Sequence, residues 1–299
     1  MDHLQAIRIF VRVVETGGFG RAALSLNIPN ATASKWVQSL EAHLGVKLLE
    51  RNTRRVSVTT DGAAYYERTR QMLSDLDDIE ATLGRGQASP RGVLRVDTGG
   101  SVASGILIPA LPVFRTRYPD IQIQLSVTDR TVDLVAENID CAIRSTADAP
   151  DLVTHPIGTL AWTTCASPAY LRMYGTPKHP QDIVDKNMPV VGYFSASSGL
   201  TQPVMFCRGK ETITLENIRN EVLVSESNAH LATALAGLGI VHTLDFMVRP
   251  FIEQKRLVPI LTHWRPDPIN VYIAYPPSRR YSTKVRVFAD WAATLFAPA

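Results

Sequence analysis

The chain has 299 residues, 45% hydrophobic and 20% charged, with a net charge of +3, figures that describe a soluble globular protein. The length suggests about two domains of ordinary size, each with its own core, and no apolar run approaches the roughly 18 residues of a membrane span. The opening "MDHLQAIRIFVRVVETGG" carries charges through its apolar stretch and does not read as a secretory signal, and three distant cysteines (Cys141, Cys165, Cys207) fit a reducing cytoplasm and argue against a disulfide framework or zinc knuckle.

Charge is unevenly placed. Residues 1–60 hold eight Lys/Arg against four Asp/Glu, while the remainder holds 23 against 24, so a basic head precedes a neutral body and points to a polyanion partner. Leu4, Ile7, Phe10, Val11 and Val14 recur at helical spacing, predicting a helix over 2–16 ended by Gly17-Gly18. Phe19, Ala22, Ala23 and Leu26 predict a second, shorter helix, and "LNIPN" a turn with Pro29 and Asn30 as stop and start signals. A third helix runs to Gly45, with Ala33, Val37, Leu40 and Leu44 spaced to pack inward. Small alanines at 22 and 23 let two helices cross closely, as a helix-turn-helix requires, and the leading residues of the third helix then face a major groove. There Thr32, Ser34 and Gln38 are suited to hydrogen-bond base edges or phosphates, and Lys35 to neutralise a phosphate or reach a guanine. Helix spacing alone leaves a plain three-helix packing module open.

"VKLLERNTRRVSVTTDG" places two β-prone runs around a turn bearing Arg51, Arg54 and Arg55. A basic hairpin beside a helix-turn-helix is a wing, with arginines suited to a minor groove or flanking phosphates; Arg51 has the alternative of tying the wing to a helix end. The run "FVRVVETGGFGRAALSLNIPNATASKWVQSLEAHLGVKLLERNTRRVSVTTDG" resembles the LysR-type transcriptional regulators. Its signature is S-x-x-V-x-x-L-E-x-x-L-G-x-x-L-L-x-R followed by T-R-R-x-S-V-T-x-x-G. The resemblance implies that Asn30, Ser34, Lys35 and Arg54 contact DNA; Ala31 departs from the proline often found at its position.

In residues 61–83, Tyr65, Thr69, Met72, Leu76, Ile79 and Leu83 alternate at spacings of four and three, the seam of a dimerising linker helix. A helix packed on its own domain would show the same stripe, but palindromic sites need two-fold proteins, and the resemblance also implies dimerisation here. "GRGQASPRG" (84–92) reads as a flexible hinge.

From Val93 the pattern is α/β with mainly parallel sheets: "VLRVDT", "IQIQLSV", "DCAIRS", "VVGYF", "EVLVSE", "GIVHTL" and "NVYIAYP" are candidate strands, and "SGILIPALPVFRTRY", "TVDLVAE" and "NAHLATALAGL" candidate helices. Cys141 and Cys165 fall in strand-like runs and read as core residues. Two strand-to-helix junctions, Thr98-Gly99-Gly100-Ser101 and Ser225-Glu226-Ser227-Asn228, have the composition to offer backbone N–H groups and hydroxyls to a small anion, although Ser and Asn are also ordinary helix caps. Arg144 has the chemistry to pair with a carboxylate or to form a structural ion pair; Tyr193 and Phe194 to stack on a ring or to fill a core.

"LIPALPVFRTRYPDIQIQL", "VDLVAENIDCAIR", "ASPAYLRMYGTPKHPQDI" and "ALAGLGI" extend the resemblance to the body. It implies two α/β subdomains of the type II periplasmic-binding-protein kind, 93–163 with 268–299 and 164–267. The chain would cross between them near Ala161 to Thr164 and near Trp264 to Pro268. An effector would lie in the cleft, lined by Ser101, the Thr128 region and the Ser225 to Asn228 junction.

The expectation is therefore an α/β protein with an N-terminal winged helix-turn-helix (1–60), a linker helix, a hinge and an effector-binding body (93–299). It would be a cytoplasmic regulator that binds double-stranded DNA at an interrupted palindromic operator and responds to a small molecule, an organic or aromatic acid. By resemblance it would assemble as a dimer or tetramer, with RNA polymerase a further partner. No metal or cofactor is expected. A solute-binding protein fits the body but not the head. An enzyme finds no support, since the seven histidines are scattered and neither H-x-x-x-H nor G-x-S-x-G occurs. The competing reading is a DNA-binding regulator without a small-molecule effector, controlled by redox state (Cys207) or a protein partner.

Overall fold

In the computed structural model, which describes residues 2–52, 55–83, 90–145 and 150–296, the chain divides into two units, Met1–Ala88 and Ser89–Ala299. In the first, α1 (His3–Thr16) starts where the Asp2 carboxylate accepts the Gln5 N–H at 3.1 Å and stops at left-handed Gly17. After it come α2 (Phe19–Ser25) and α3 (Asn30–Leu44), which ends at Gly45 with φ 71°. Asn30 is the first helical residue rather than the cap, which is Pro29. Ile9, Phe10, Ala22, Ala33, Val37 and Leu40 are fully buried together, and each of the larger side chains contributes roughly 1.5–3 kcal/mol by burial.

The strands β1 (Leu49–Asn52) and β2 (Arg55–Val58) form the antiparallel wing, with Asn52 opposite Arg55. The turn residue Arg54 lies outside the described residues, as do the side chains of Arg51 and Arg55. Three residues of the sequence signature join α3, the wing and the next helix, α4 (Thr60–Leu83). Buried Glu41 accepts the Leu48 and Leu49 N–H groups at 3.0 and 3.1 Å and pairs with Lys47 at 3.1 Å. Burial works to raise its pKa, but the Leu49 N–H, Lys47 and the Leu48 N–H prevail and hold it below the ordinary value. The Thr59 hydroxyl donates to Lys47 O at 2.7 Å and accepts the Gly62 N–H at 2.9 Å. A Cβ on Gly62 would lie 1.9 Å from the Leu48 carbonyl oxygen, so only glycine allows this approach. The seam expected on α4 divides in two. Half-buried Tyr65 packs on the head with Leu73, which lies off the seam, and Thr69 is buried, whereas Met72 and Ile79 are 45% and 53% exposed. Residues 84–89 of the expected hinge lie outside the described residues, and Gly92 already begins a strand.

The second unit opens with β3 (Gly92–Thr98) and a continuous helical run of α5 (Gly100–Val102), a π-helical stretch (Ala103–Leu107) and α6 (Ile108–Arg117). Next come β4 (Ile121–Val127), β5 (Cys141–Arg144) and β6 (Val153–Leu160). The chain then enters other sheets with β7 (Trp162–Ala166), α7 (Pro168–Tyr174), α8 (Gln181–Asp185), β8 (Val191–Tyr193) and the hairpin β9 (Val204–Arg208) and β10 (Glu211–Leu215). It continues through β11 (Val222–Val224), α9 (Ser227–Leu235), β12 (Val241–Leu244), α10 (Asp245–Glu253) and β13 (Val258–Ile260). Finally β14 (Ile269–Tyr275) and α11 (Thr283–Leu295) return to the first half.

In the first subdomain the strand order is β4-β3-β5-β14-β6. β3 runs parallel to β4 and β5, and β14 antiparallel to β5 and β6. Phe114, Phe288 and Trp291 cover this sheet with Leu94, Val96 and Ile273. In the second subdomain β7 lies antiparallel between β12 and β13, while β8 and β11 pair in parallel. The sheets are thus not mainly parallel: β14 arrives from the far end of the chain and inserts antiparallel in the first subdomain, and β7 runs antiparallel to both its neighbours in the second. A division after residue 163 cuts through β7, so Trp162 and Thr163 pair within the second subdomain. "TVDLVAE" is a turn, not a helix. The Asp133 carboxylate accepts the Val135 and Ala136 N–H groups at 2.9 and 3.0 Å as a helix cap does, but the single turn it opens ends where Asn138 adopts φ 55° and the Ile139 N–H bonds the Leu134 carbonyl at 2.8 Å. Cys141 and Cys165 are fully buried; burial pushes the first thiol well up and the second to about 12, so both are core groups. Among the described residues no helix is long and apolar enough to cross a membrane.

Candidate functional site

On the head, the buried stripe Ala33, Val37 and Leu40 fixes which face of α3 points outward. Asn30, Lys35 and Gln38 are exposed on it, and Thr32 and Ser34 are half-buried. One helix therefore presents a cation, two amides and two hydroxyls, the donors and acceptors that read base edges and phosphates. A wide depression beside the wing, about 590 Å³, includes Glu50 and Asp61 with Lys47 in its wall, and its carboxylates make it a poor phosphate seat.

In the body, a cleft of about 330 Å³ lies between the two subdomains. Of the residues expected there, Ser101, Thr128, Arg144, Tyr193 and Ser227 line it. Thr98, Gly100, Ser225 and Asn228 do not. Thr98 is fully buried under the sheet end, and Gly100 is buried with its N–H directed at Asp129. The Ser225 carbonyl accepts the Tyr193 hydroxyl at 3.3 Å, and Asn228 is engaged with Glu226 and Ser104. The anion-accepting amides expected at the two junctions are also taken. Gly100 and Ser227 N–H donate to Asp129, Ser101 N–H to the Ser227 hydroxyl, and Asn228 and Ala229 N–H to Glu226. The polar chain supplies its own acceptors there, as buried helix starts require.

Arg144 forms the structural ion pair considered for it, with fully buried Asp97, and its side chain also lines the cleft. Arg130, on the rim, is clamped by Glu137 at 2.9 and 2.7 Å. The second subdomain contributes Trp162, His230, His242 and Met247 to the lining, none of them singled out from sequence. His242 stacks on Trp162 with centroids 4.9 Å apart and rings 8° from parallel, and its Nδ1 lies 2.8 Å from the Thr164 hydroxyl. Burial, reinforced by His230, pushes its pKa down to about 4. Burial also lowers that of His230, against the pull of the Val191 carbonyl. Both rings are neutral at pH 7. Burial first, then the Asp129 carboxylate, raises the Tyr193 pKa and keeps its hydroxyl a donor. The cleft is therefore lined by a stacked aromatic–imidazole pair and by a guanidinium tethered to Asp97. Among the described residues no His, Cys, Asp and Glu group suits a metal ion.

A winged head with a polar outward helix, carried on the same chain as a two-part α/β body with a cleft, defines a DNA-binding regulator with a ligand-binding module. The chain belongs to the LysR family of transcriptional regulators: residues 4–63 match the bacterial regulatory helix-turn-helix protein of the lysR family, and residues 87–297 match the LysR substrate binding domain. It is 37% identical to an HTH-type transcriptional repressor of Pseudomonas aeruginosa, over 99% of this chain and 93% of that protein. It is similar to the solved structure of CrgA, a LysR-type transcriptional regulator from Neisseria meningitidis, with TM-score 0.63, 28% identity, and 98% and 99% of the two chains covered. The full-length structure of the Vibrio cholerae virulence activator AphB matches with TM-score 0.59 and 25% identity, covering 98% and 99%.

Proposed function

We propose that this LysR-type regulator is controlled by a small organic acid with an apolar or aromatic body, bound in the cleft between the subdomains. The presence of Arg144 and the stacked Trp162–His242 pair in one cleft carries this reading. With the helix-start amides already bonded, Arg144 is the group suited to a carboxylate, and the stacked rings suit a flat apolar body. Thr128, Tyr193, Ser101 and Ser227 would supply the remaining polar contacts. On the head, Asn30, Thr32, Ser34, Lys35 and Gln38, with Arg54 and Arg55 of the wing, would contact an interrupted palindromic operator. Residues 60–83 would join two copies, and pairs of dimers would form a tetramer. Such a protein would work in the cytoplasm, where its operator lies. A ligand changes DNA binding only by its different affinity for two arrangements of the body.

The test is a thermal-shift screen of the full chain against small aliphatic and aromatic carboxylates. A ligand at about 100 times its dissociation constant adds roughly 2.7 kcal/mol, a rise of several degrees. The expected hit disappears in Arg144→Ala, which retains operator binding. A blank across the carboxylates, or a hit indifferent to Arg144→Ala, would remove this reading.

A further inference from the structure

One wall of the cleft is closed by two helix starts that meet head-on: Gly100 begins α5 in the first subdomain and Ser227 begins α9 in the second. Each start carries partial positive charge and unsatisfied N–H groups, so two of them abut only with a negative group between. Two carboxylates lie there: Glu226 accepts the Asn228 and Ala229 N–H groups of its own helix, whereas Asp129, in the loop after β4, bonds both starts. Its Oδ1 accepts the Gly100 N–H at 2.7 Å from its own subdomain. From the other subdomain its Oδ2 accepts the Ser227 N–H at 2.7 Å and the Tyr193 hydroxyl at 2.9 Å. Two neutral bonds cross beside it, Ser101 N–H to Ser227 Oγ and Ser104 Oγ to Asn228 Oδ1, each 3.0 Å. The surfaces touch closely: a Cβ on Gly100 would lie 2.2 Å from Glu226 Oε1, and one on Gly105 would lie 2.8 Å from the Phe246 ring. Charge-assisted bonds are roughly twice as strong as neutral ones, which makes the Asp129 carboxylate the principal bond across this wall.

We propose that Asp129 is an intramolecular clasp: its carboxylate stands where the two helix starts meet, holds the subdomains closed at that wall, and determines how a ligand in the cleft acts. This inference rests on the cleft being the effector site. A ligand seated on Arg144 leaves the clasp engaged and favours the closed arrangement. A ligand whose carboxylate takes the Gly100 and Ser227 amides must displace Asp129 and so separates the two walls. The clasp thus sets both where an acid docks and in which direction it moves the body.

Hydrogen–deuterium exchange of the full chain tests this without any effector. In Asp129→Ala, segments 99–104 and 225–230 should both exchange about tenfold faster, the size of a lost hydrogen bond to a charged group. Added sodium formate, against chloride at equal ionic strength, should restore protection in the variant and leave the wild type unchanged. Asp129→Asn, isosteric and without the charge, should fall between and stays informative should the alanine variant fold poorly. Unchanged exchange in both segments of both variants would overturn the proposal. So would loosening confined to 99–104, which would make Asp129 a local cap of one helix. A blank ligand screen bears on the effector reading alone, because the exchange experiment contains no effector.

Discussion

His242 shows how the environment of a single side chain becomes a pH response. Its ring lies against Trp162 and 5.4 Å from Phe206, and burial followed by His230 lowers its pKa to about 4. In the unfolded chain the imidazole returns to about 6.5. Between these values the unfolded state binds the extra proton, so stability falls as pH drops through 6.5 and continues to fall towards 4. From pH 7 to pH 5 this residue should cost up to about 2 kcal/mol, read from urea unfolding at several pH values. His242→Gln should flatten that dependence, leaving the smaller share of His230; an unaltered slope would show that His242 does not carry it. No sequence signal pointed to His242, because its stacking partner and its burial come from strands that pair only in the folded sheet, β7 with β12. Ser101, Arg144, Tyr193 and Ser227 were legible because they sit at strand ends and helix starts, where open α/β sheets bind ligands. Asp129 obeys the same rule one residue beyond Thr128, yet a lone loop carboxylate has no local pattern; its meaning lies in two N–H groups from distant helices.

At the scale of elements, the head was readable almost to the residue and the body only in part. Helix spacing and the wing are local, and the signature residues Glu41, Thr59 and Gly62 form one joint between α3, β1 and α4. Glu41→Ala would leave the buried Leu48 and Leu49 N–H groups without their acceptor, at a cost of about 2–4 kcal/mol. Calorimetry of the full chain should show the head transition lowered and the body transition held. A head transition at its original temperature would make the carboxylate dispensable to the joint. In the body, each strand expected from β-prone residues formed, but direction and pairing are properties of distant segments, which is why β14 turned a mainly parallel expectation into a mixed sheet. "TVDLVAE" failed as a helix for a local reason: Asp133 caps a first turn, but left-handed Asn138 ends it after that one turn.

At the scale of the whole molecule, the proposal that α4 serves assembly as well as the head turns on its burial pattern, which divides the helix in two. Tyr65 and Leu73 belong to the head core, with the Tyr65 ring 5.7 Å from Phe10, and Thr69 beside them is buried. Met72, half-buried Leu76 and Ile79 continue at spacings of four and three, and Met72 and Ile79 are largely exposed. A polar helix gains nothing from exposed apolar groups at that period unless another helix covers them. A dimer built on this stripe would place two copies of α3 on one operator, and the second head would bind at high effective concentration without new contacts. Ile79→Lys inserts a charge into that seam and leaves the head core intact. Sedimentation should show dissociation at concentrations where the wild type is dimeric. Affinity for the full palindrome should fall by at least about 100-fold, the lower end of what linked binding provides, while affinity for a single half-site should not change. Loss on the half-site as well would mean that the lysine damaged the head. A variant that stays dimeric would move the interface off the stripe, leaving Met72 and Ile79 as surface residues and the pairing of the heads to the body.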